Sequence, residues 1–364
     1  MKLQRVLAIL LVLLVCSCAY ADDVYDYASS PEYRSPYYEG CVKSAVLNDA
    51  LDELNYIRSL IGVSSSVTLN DEYTDKAQHG AVLLDVIGTL THMPSRPANM
   101  TLSFYDMAYD ALTHSNIAGA ASGNMSLSKS LKIYMDDSDS SNINALSHRR
   151  WLMNPRLEQV GFGLSTRKGY AAAYVIEEIS DSIPAWPLDD VFITWPSSKK
   201  AHPLTYFYHD TAWSVTLDGD VFDECSEEAV QVTLTRESDN RTWTFSSSHK
   251  DGYFKVNTEN YAYDDCIIFR PDNISRYNNN EVWNVKITGL TRSGVPSSIS
   301  YSVRFTDSRT GYEDNYSADR SRGNNRVDSD SGGGCNSGFG LLALTGLIIG
   351  IRRIYSGKII CAGK

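Results

Sequence analysis

The chain has 364 residues, 43% of them hydrophobic, with 33 basic against 44 acidic side chains and a formal net charge of −11. That length admits two ordinary domains plus sorting segments, and the composition supports real hydrophobic cores. The acidic balance excludes the electrostatic footprint of a nucleic-acid binder, and an anionic membrane surface would repel it.

Residues 1–21 read as a secretory signal peptide: Lys2 and Arg5, an apolar run from Val6 to Val15, then Ala19-Tyr20-Ala21 as a small-x-small cleavage site. Val15-Cys16-Ser17-Cys18 is also a loose lipobox, so cleavage before Cys18 is the alternative. Both routes predict an extracytoplasmic protein. Residues 22–43, rich in Tyr, Ser, Pro and Asp without periodicity, predict a disordered leader.

A mixed helix and strand region follows over 44–183. Val46, Ala50, Leu51, Leu54, Ile57, Leu60 and Ile61 have helical spacing, stopped at Gly62. Asn70 is a natural N-cap for a second helix burying Tyr73, Ala77, Ala81, Leu84 and Ile87, with Gly88 as its stop. His79 falls off that face and reads as a solvated surface histidine. His92, beyond the helix stop in Leu90-Thr91-His92-Met93-Pro94, sits where a loop carries it over the sheet edge. Helical stretches are expected over 101–115 and 126–137, with Ala118 to Gly123 as a small-residue loop between them. Ala145, His148, Trp151 and Leu152 share one face of a short helix, which points the His148 imidazole inward. Arg149 and Arg150 read as surface or ion-pair residues. Asn154-Pro155 ends the helix, and strands are expected over 159–164 and 170–179.

From 184 to 307 the texture becomes short alternating runs such as Trp213, Val215, Leu217 and Ile299, Tyr301, Val303, Phe305, split by Gly, Asn and Asp. This predicts an all-β antiparallel sandwich, immunoglobulin-like, with Trp195, Trp213, Trp243 and Trp283 in its core. Cys225 and Cys266 flank β-like segments there and are the plausible disulfide, leaving Cys41 odd. Residues 308–334 are polar and predict a flexible linker. In 335–364, Cys335 precedes an apolar run from Phe339 to Ile351 and the pair Arg352-Arg353. That run is short against the roughly 20 residues needed to span a bilayer.

Two segments resemble known families. His148-Arg149-Arg150-Trp151-Leu152-Met153-Asn154-Pro155 followed by Val160-Gly161-Phe162-Gly163 is similar to the second-histidine segment of bacterial CAP-superfamily domains (SCP, pathogenesis-related-1-like). The likeness extends upstream through Leu69-Asn70-Asp71-Glu72-Tyr73 to Leu90-Thr91-His92, the first-histidine segment. The order of glycines, Cys335-Asn336, apolar run and Arg352-Arg353 resembles a bacterial C-terminal sorting signal of the Synergistes type, although Ile354 to Lys364 runs past its usual end. The first resemblance implies an α+β fold, a three-layer α-β-α sandwich followed by the β-sandwich, with a cleft where two histidines meet. The second implies retention at the cell surface, membrane contact through the C-terminal segment, and Cys335 as the processing or attachment point.

In the CAP family the cleft holds two histidines and two acids, and some members bind a divalent metal there. His92 and His148 match the histidines, and Asp137 matches the second acid. The first acid is replaced: the stretch reads His114-Ser115-Asn116, with Ser115 in the acidic position. Two neutral imidazoles and one carboxylate are donors that suit zinc with an open water position. Loss of the first acid removes the obvious general base, so the catalytic reading is the weaker one, with His114 beside Ser115 as a conceivable replacement. The sequence therefore leaves three readings: an extracellular module binding a lipid, glycan or protein; a metal-dependent hydrolase or peptidase using His92, His148 and Asp137; and an envelope scaffold or adhesin. It contains no His-Glu-x-x-His, Gly-x-Ser-x-Gly or phosphate-binding loop motif.

Overall fold

A computed structural model of the chain describes residues 26–120, 123–176, 186, 188–263 and 265–308. The expected signal peptide, the expected linker beyond 308, and the expected sorting segment with Cys335, Arg352 and Arg353 lie outside the described residues. Among the described residues no helix is long and apolar enough to cross a membrane.

Part of the expected disordered leader is ordered. Strands β1 (Tyr27–Ser29) and β2 (Cys41–Val42) pair antiparallel. Tyr27 is buried, its hydroxyl donating to the Leu164 carbonyl at 3.0 Å and accepting from the Thr166 N–H at 3.0 Å. The Arg167 guanidinium lies 4.1 Å over the Tyr33 ring. The polar composition concealed this, because the tyrosines supply both apolar ring area and hydrogen-bonding tips.

Helix α1 (Ser44–Ile61) ends at Gly62, whose φ of 80° is left-handed. Strand β3 (Thr68–Leu69) leads to α2 (Asp71–Ile87), where the Asn70 side chain accepts the Tyr73 N–H at 3.0 Å. Helix α3 (Leu102–His114) runs directly into strand β4 (Ser115–Gly119), so the expected small-residue loop is partly strand. Then come α4 (Leu127–Asp136), the short α5 (Ser147–Met153), β5 (Gln159–Ser165) and β6 (Tyr170–Tyr174). The sheet order is β3-β5-β6-β4, with β3 parallel to β5 and the other pairs antiparallel.

Strand alternation separates two apolar layers. Ile117, Ala172 and Tyr174 pack with Ala77, Leu84, Phe104 and Ala108 of α2 and α3. Val160, Phe162, Leu164, Ala171 and Ala173 face Leu54, Leu131 and Leu152 of α1, α4 and α5. The result is helix, sheet, helix. Gly161 and Gly163 alternate with those apolar residues because α2 crosses their face: a Cβ on Gly163 would stand 2.1 Å from the Ala77 carbonyl oxygen.

The second half is a sandwich of two sheets. The first contains β7 (Phe192–Trp195), β9 (Trp213–Leu217), β12 (Gly252–Asn257) and β13 (Cys266–Pro271), ordered β12-β13-β9-β7. The second contains β8 (His202–Pro203), β10 (Gln231–Arg236), β11 (Arg241–Phe245), β14 (Val282–Arg292) and β15 (Val295–Thr306), ordered β11-β10-β14-β15-β8. Aromatic rings fill the space between, with Phe245 and Phe269 centroids 5.4 Å apart and Trp213 and Trp283 6.2 Å apart. Trp195, Trp213, Trp243 and Trp283 are all buried, as expected of core residues.

Two expectations about this half are corrected. Cys225 and Cys266 are free thiols. The alternation of β13 turns Cys266 toward Ile143, Leu146, Ala212 and Ile268, whereas Cys225 belongs to the main core on the other side. Arg149 and Arg150 are buried. Arg149 donates to the carbonyls of Met135 at 2.7 Å, Asp136 at 2.5 Å and Ala212 at 2.8 Å, and to Ser214 Oγ at 3.1 Å. Arg150 donates to Asn257 Oδ1 at 2.8 Å and to the carbonyls of Glu259 and Tyr263. Both guanidiniums tie α5 to the sandwich through backbone carbonyls, which no surface-charge pattern reveals.

Candidate functional site

The site forms where α3, β4, α4 and α5 meet. Asp137 terminates α4 in the left-handed conformation, φ 48°. From there its carboxylate accepts from His148 Nδ1 at 2.7 Å, the His148 N–H at 3.0 Å and the Arg149 N–H at 3.3 Å. Leu146, in the N-cap position of α5, has no capping side chain, so Asp137 caps that helix from a distance. One carboxylate thus starts the helix and fixes the histidine on it. With Nδ1 held by the Asp137 carboxylate, the His148 ring turns Nε2 away from Asp137.

His92 is set from the opposite side. Gly88 closes α2, and the following loop brings His92 Nδ1 within 2.6 Å of the Leu112 carbonyl on α3. Burial depresses its pKa from the ordinary histidine value, and the charge of nearby His148 adds in the same direction, against the Leu112 hydrogen bond. A neutral His92 with Nδ1–H donated presents Nε2 as an acceptor.

Ser115 opens β4 and is 1% exposed. Next to it, Asn116 Nδ2 donates to the His148 carbonyl at 2.8 Å, while the Tyr134 hydroxyl donates to the Asn116 carbonyl at 3.1 Å. The Tyr134 ring lies 5.7 Å from the His148 ring. Asn116 escaped the sequence reading, where adjacency to Ser115 was the available signal; Tyr134 was legible only as a helix-face aromatic three residues before Asp137. Among the described residues, His92 Nε2, His148 Nε2 and Ser115 Oγ are buried without a hydrogen-bond partner. Buried polar atoms are ordinarily paired, which makes this set a recognition feature to be explained.

The other expected members have different roles. His114 turns its Nδ1 to the Asp110 carbonyl at 2.7 Å and stacks on Tyr174 at 5.4 Å, so it supports the helix end rather than replacing an acid. Asp137 is committed to α5 and to Nδ1, the far side of His148 from Nε2. The donor set at His92 and His148 therefore falls short of zinc's usual three protein ligands, and the expected His92, His148, Asp137 metal set does not assemble. Among the described residues, three potential ligands gather elsewhere, at Glu39, Asp75 and His79. His79 is 7% exposed, correcting its surface assignment: α2 lies between the sheet and α3, and Phe104 covers the ring at 4.6 Å.

A mixed sheet thus lies between two helical layers, with His148 set by a helix-capping acid and His92 by the Leu112 carbonyl. Residues 51–177 match the family model CAP, the Cysteine-rich secretory protein family, so the chain carries a CAP domain there. No curated protein matches the chain.

Proposed function

We propose that this CAP domain acts outside the cell as a ligand-binding module whose polar recognition point is His92, His148 and Ser115. One observation carries the reading: three buried polar atoms, from the loop after α2, from β4 and from α5, have no hydrogen-bond partner among the described residues. The His92 lone pair, the His148 Nε2 beside it and a hydroxyl complement a group that both donates and accepts hydrogen bonds, such as a hydroxyl or an amine. Beside them Met93 is 58% exposed, an apolar neighbour for the body of such a ligand. A small amphiphile with a hydroxyl or amine head fits this combination better than a glycan or protein. Hydrolysis has less support, because Asp137 is occupied and no second acid stands at Ser115.

Export follows from the signal peptide, and the sorting-type tail supports retention at a bacterial cell surface. The sandwich, read as immunoglobulin-like, would then space or dock the CAP domain, and that part carries the scaffold or adhesin role. The test is calorimetric titration of the full chain with a panel of single-headed amphiphiles, in parallel with Ser115→Ala, His92→Ala and His148→Ala. Saturable binding weakened about tenfold or more in the histidine variants is expected. Binding indifferent to all three substitutions, or none, would reject the reading.

A further inference from the structure

We propose that Glu39, Asp75 and His79 form a zinc-type divalent-cation site, separate from the His92 and His148 cluster, that fastens the N-terminal segment to α2. Asp75 and His79 stand four apart on α2, and Glu39 arrives from the segment between β1 and β2. One ligand atom from each lies within 4.8 Å of the others.

The histidine points to a cation. His79 Nδ1 donates to the Asp75 carbonyl at 2.8 Å, with Asp75 Oδ1 3.4 Å from the same nitrogen, and the other ring nitrogen, Nε2, is turned toward Glu39. Nε2 faces Glu39 Oε2 at 3.7 Å, too far for a hydrogen bond. Two acceptors facing one another repel unless a cation or proton joins them. Backbone-bonded Nδ1 with free Nε2 is the usual arrangement of a metal-ligating histidine. The ring is held in that direction by burial and by Phe104 at 4.6 Å.

The surrounding charge agrees. Among the described residues neither Glu39 nor Asp75 pairs with a lysine or arginine. The nearest candidate, Lys76, is engaged by Glu72 at 2.7 Å and by Asp110 of α3 at 3.0 Å. Two carboxylates therefore meet one imidazole, at 3.7 Å and 3.4 Å, with no lysine or arginine paired to either among the described residues. One imidazole and two carboxylates suit zinc, at about 2.0 to 2.2 Å per bond, with water completing the shell. Glu39 and Asp75 side chains are 25% and 50% exposed, so they have room to close the distance. The backbone of Glu39 is already placed, since Gln78 Nε2 donates to its carbonyl at 2.8 Å. Gly40 turns there at φ 70° with Ser29 O 2.6 Å from any added Cβ, so the approach of Glu39 is built into the turn.

The test is a zinc titration of the untagged full chain, in a Cys41→Ser background that removes an exposed thiol. Calorimetry should give one bound zinc and thermal melting a zinc-dependent rise in Tm, with no response to calcium. Glu39→Gln and Asp75→Asn, both at partly exposed positions, should leave the zinc-free Tm unchanged and each weaken zinc binding at least tenfold. His92→Ala and His148→Ala should leave it intact, which separates this result from failure of the cleft reading. Three outcomes overturn the proposal: no zinc-dependent shift, zinc binding indifferent to Glu39→Gln, or loss of binding in the cleft variants. A Tm that responds to pH through Glu39 and His79 but never to zinc would assign the cluster to a protonated-histidine clamp and likewise overturn it.

Discussion

Asp137 accepts from both ends of His148, its ring Nδ1–H at 2.7 Å and its backbone N–H at 3.0 Å, so one carboxylate determines the helix start and the imidazole direction together. Both side chains are nearly fully buried, at 3% and 1% exposed. Removing the acid leaves an unpaired imidazole N–H and uncapped helix donors. Asp137→Ala should cost about 3 kcal/mol or more, read as a lower midpoint in urea with an unchanged slope. A loss below about 1 kcal/mol would mean that α5 is capped by other means.

Gly163 tests the contact between sheet and helix. An added Cβ meets the Ala77 carbonyl oxygen at 2.1 Å, and backbone on both sides cannot move aside cheaply. Gly163→Ala should destabilise by about 3 kcal/mol through overpacking. Gly294→Ala, with nothing within 4 Å of its Cβ but φ at 75°, should cost about 1 kcal/mol through backbone strain alone.

Arg149 joins the two halves. Its guanidinium satisfies carbonyls of Met135 and Asp136 on the CAP side and Ala212 on the sandwich side. Arg149→Met keeps much of the buried stem but strands those acceptors, and a loss of about 3 kcal/mol is expected. Calorimetry should then resolve two transitions where the parent chain gives one. A single transition at the parental Tm would show that the junction is held by apolar contact alone.

His202 makes stability depend on pH. Burial pushes its pKa down to about 3, and Nδ1 accepts the Ser197 N–H at 3.1 Å. The unfolded chain takes up a proton near the ordinary histidine value of about 6.5, which the folded chain refuses. The contribution is therefore complete above that value and is lost as pH falls toward 3, by at most about 1.4 kcal/mol per pH unit. His202→Asn should flatten the fall of stability between pH 6 and pH 4 relative to the parent. Parallel curves would place the acid sensitivity elsewhere.

Periodicity made the local elements legible. Asn70 and Gly88 bracket α2 because capping uses a side chain and a backbone conformation intrinsic to those residues. The inward turn of His148 was readable because Ala145, Trp151 and Leu152 fall on its face. Partners distant in sequence were not readable. The leader reads as disordered because Tyr27 and Tyr33 act against Leu164, Thr166 and Arg167, more than a hundred residues away. His79 was assigned to solvent because one helical face was counted as buried, while α2 is covered on two.

By itself the sequence determined where helices start and stop, which strands alternate, and that His92 and His148 belong to a CAP domain. These properties depend on residues within a few positions of one another. Only the tertiary structure decided that Asp137 orients His148 rather than joining a metal set, that Arg149 and Arg150 serve carbonyls inside the junction, and that Cys225 and Cys266 lie on opposite sides of a sheet. Those outcomes depend on which face of each element the others cover, and burial by a distant element changes the cost of every charge and hydrogen bond it encloses.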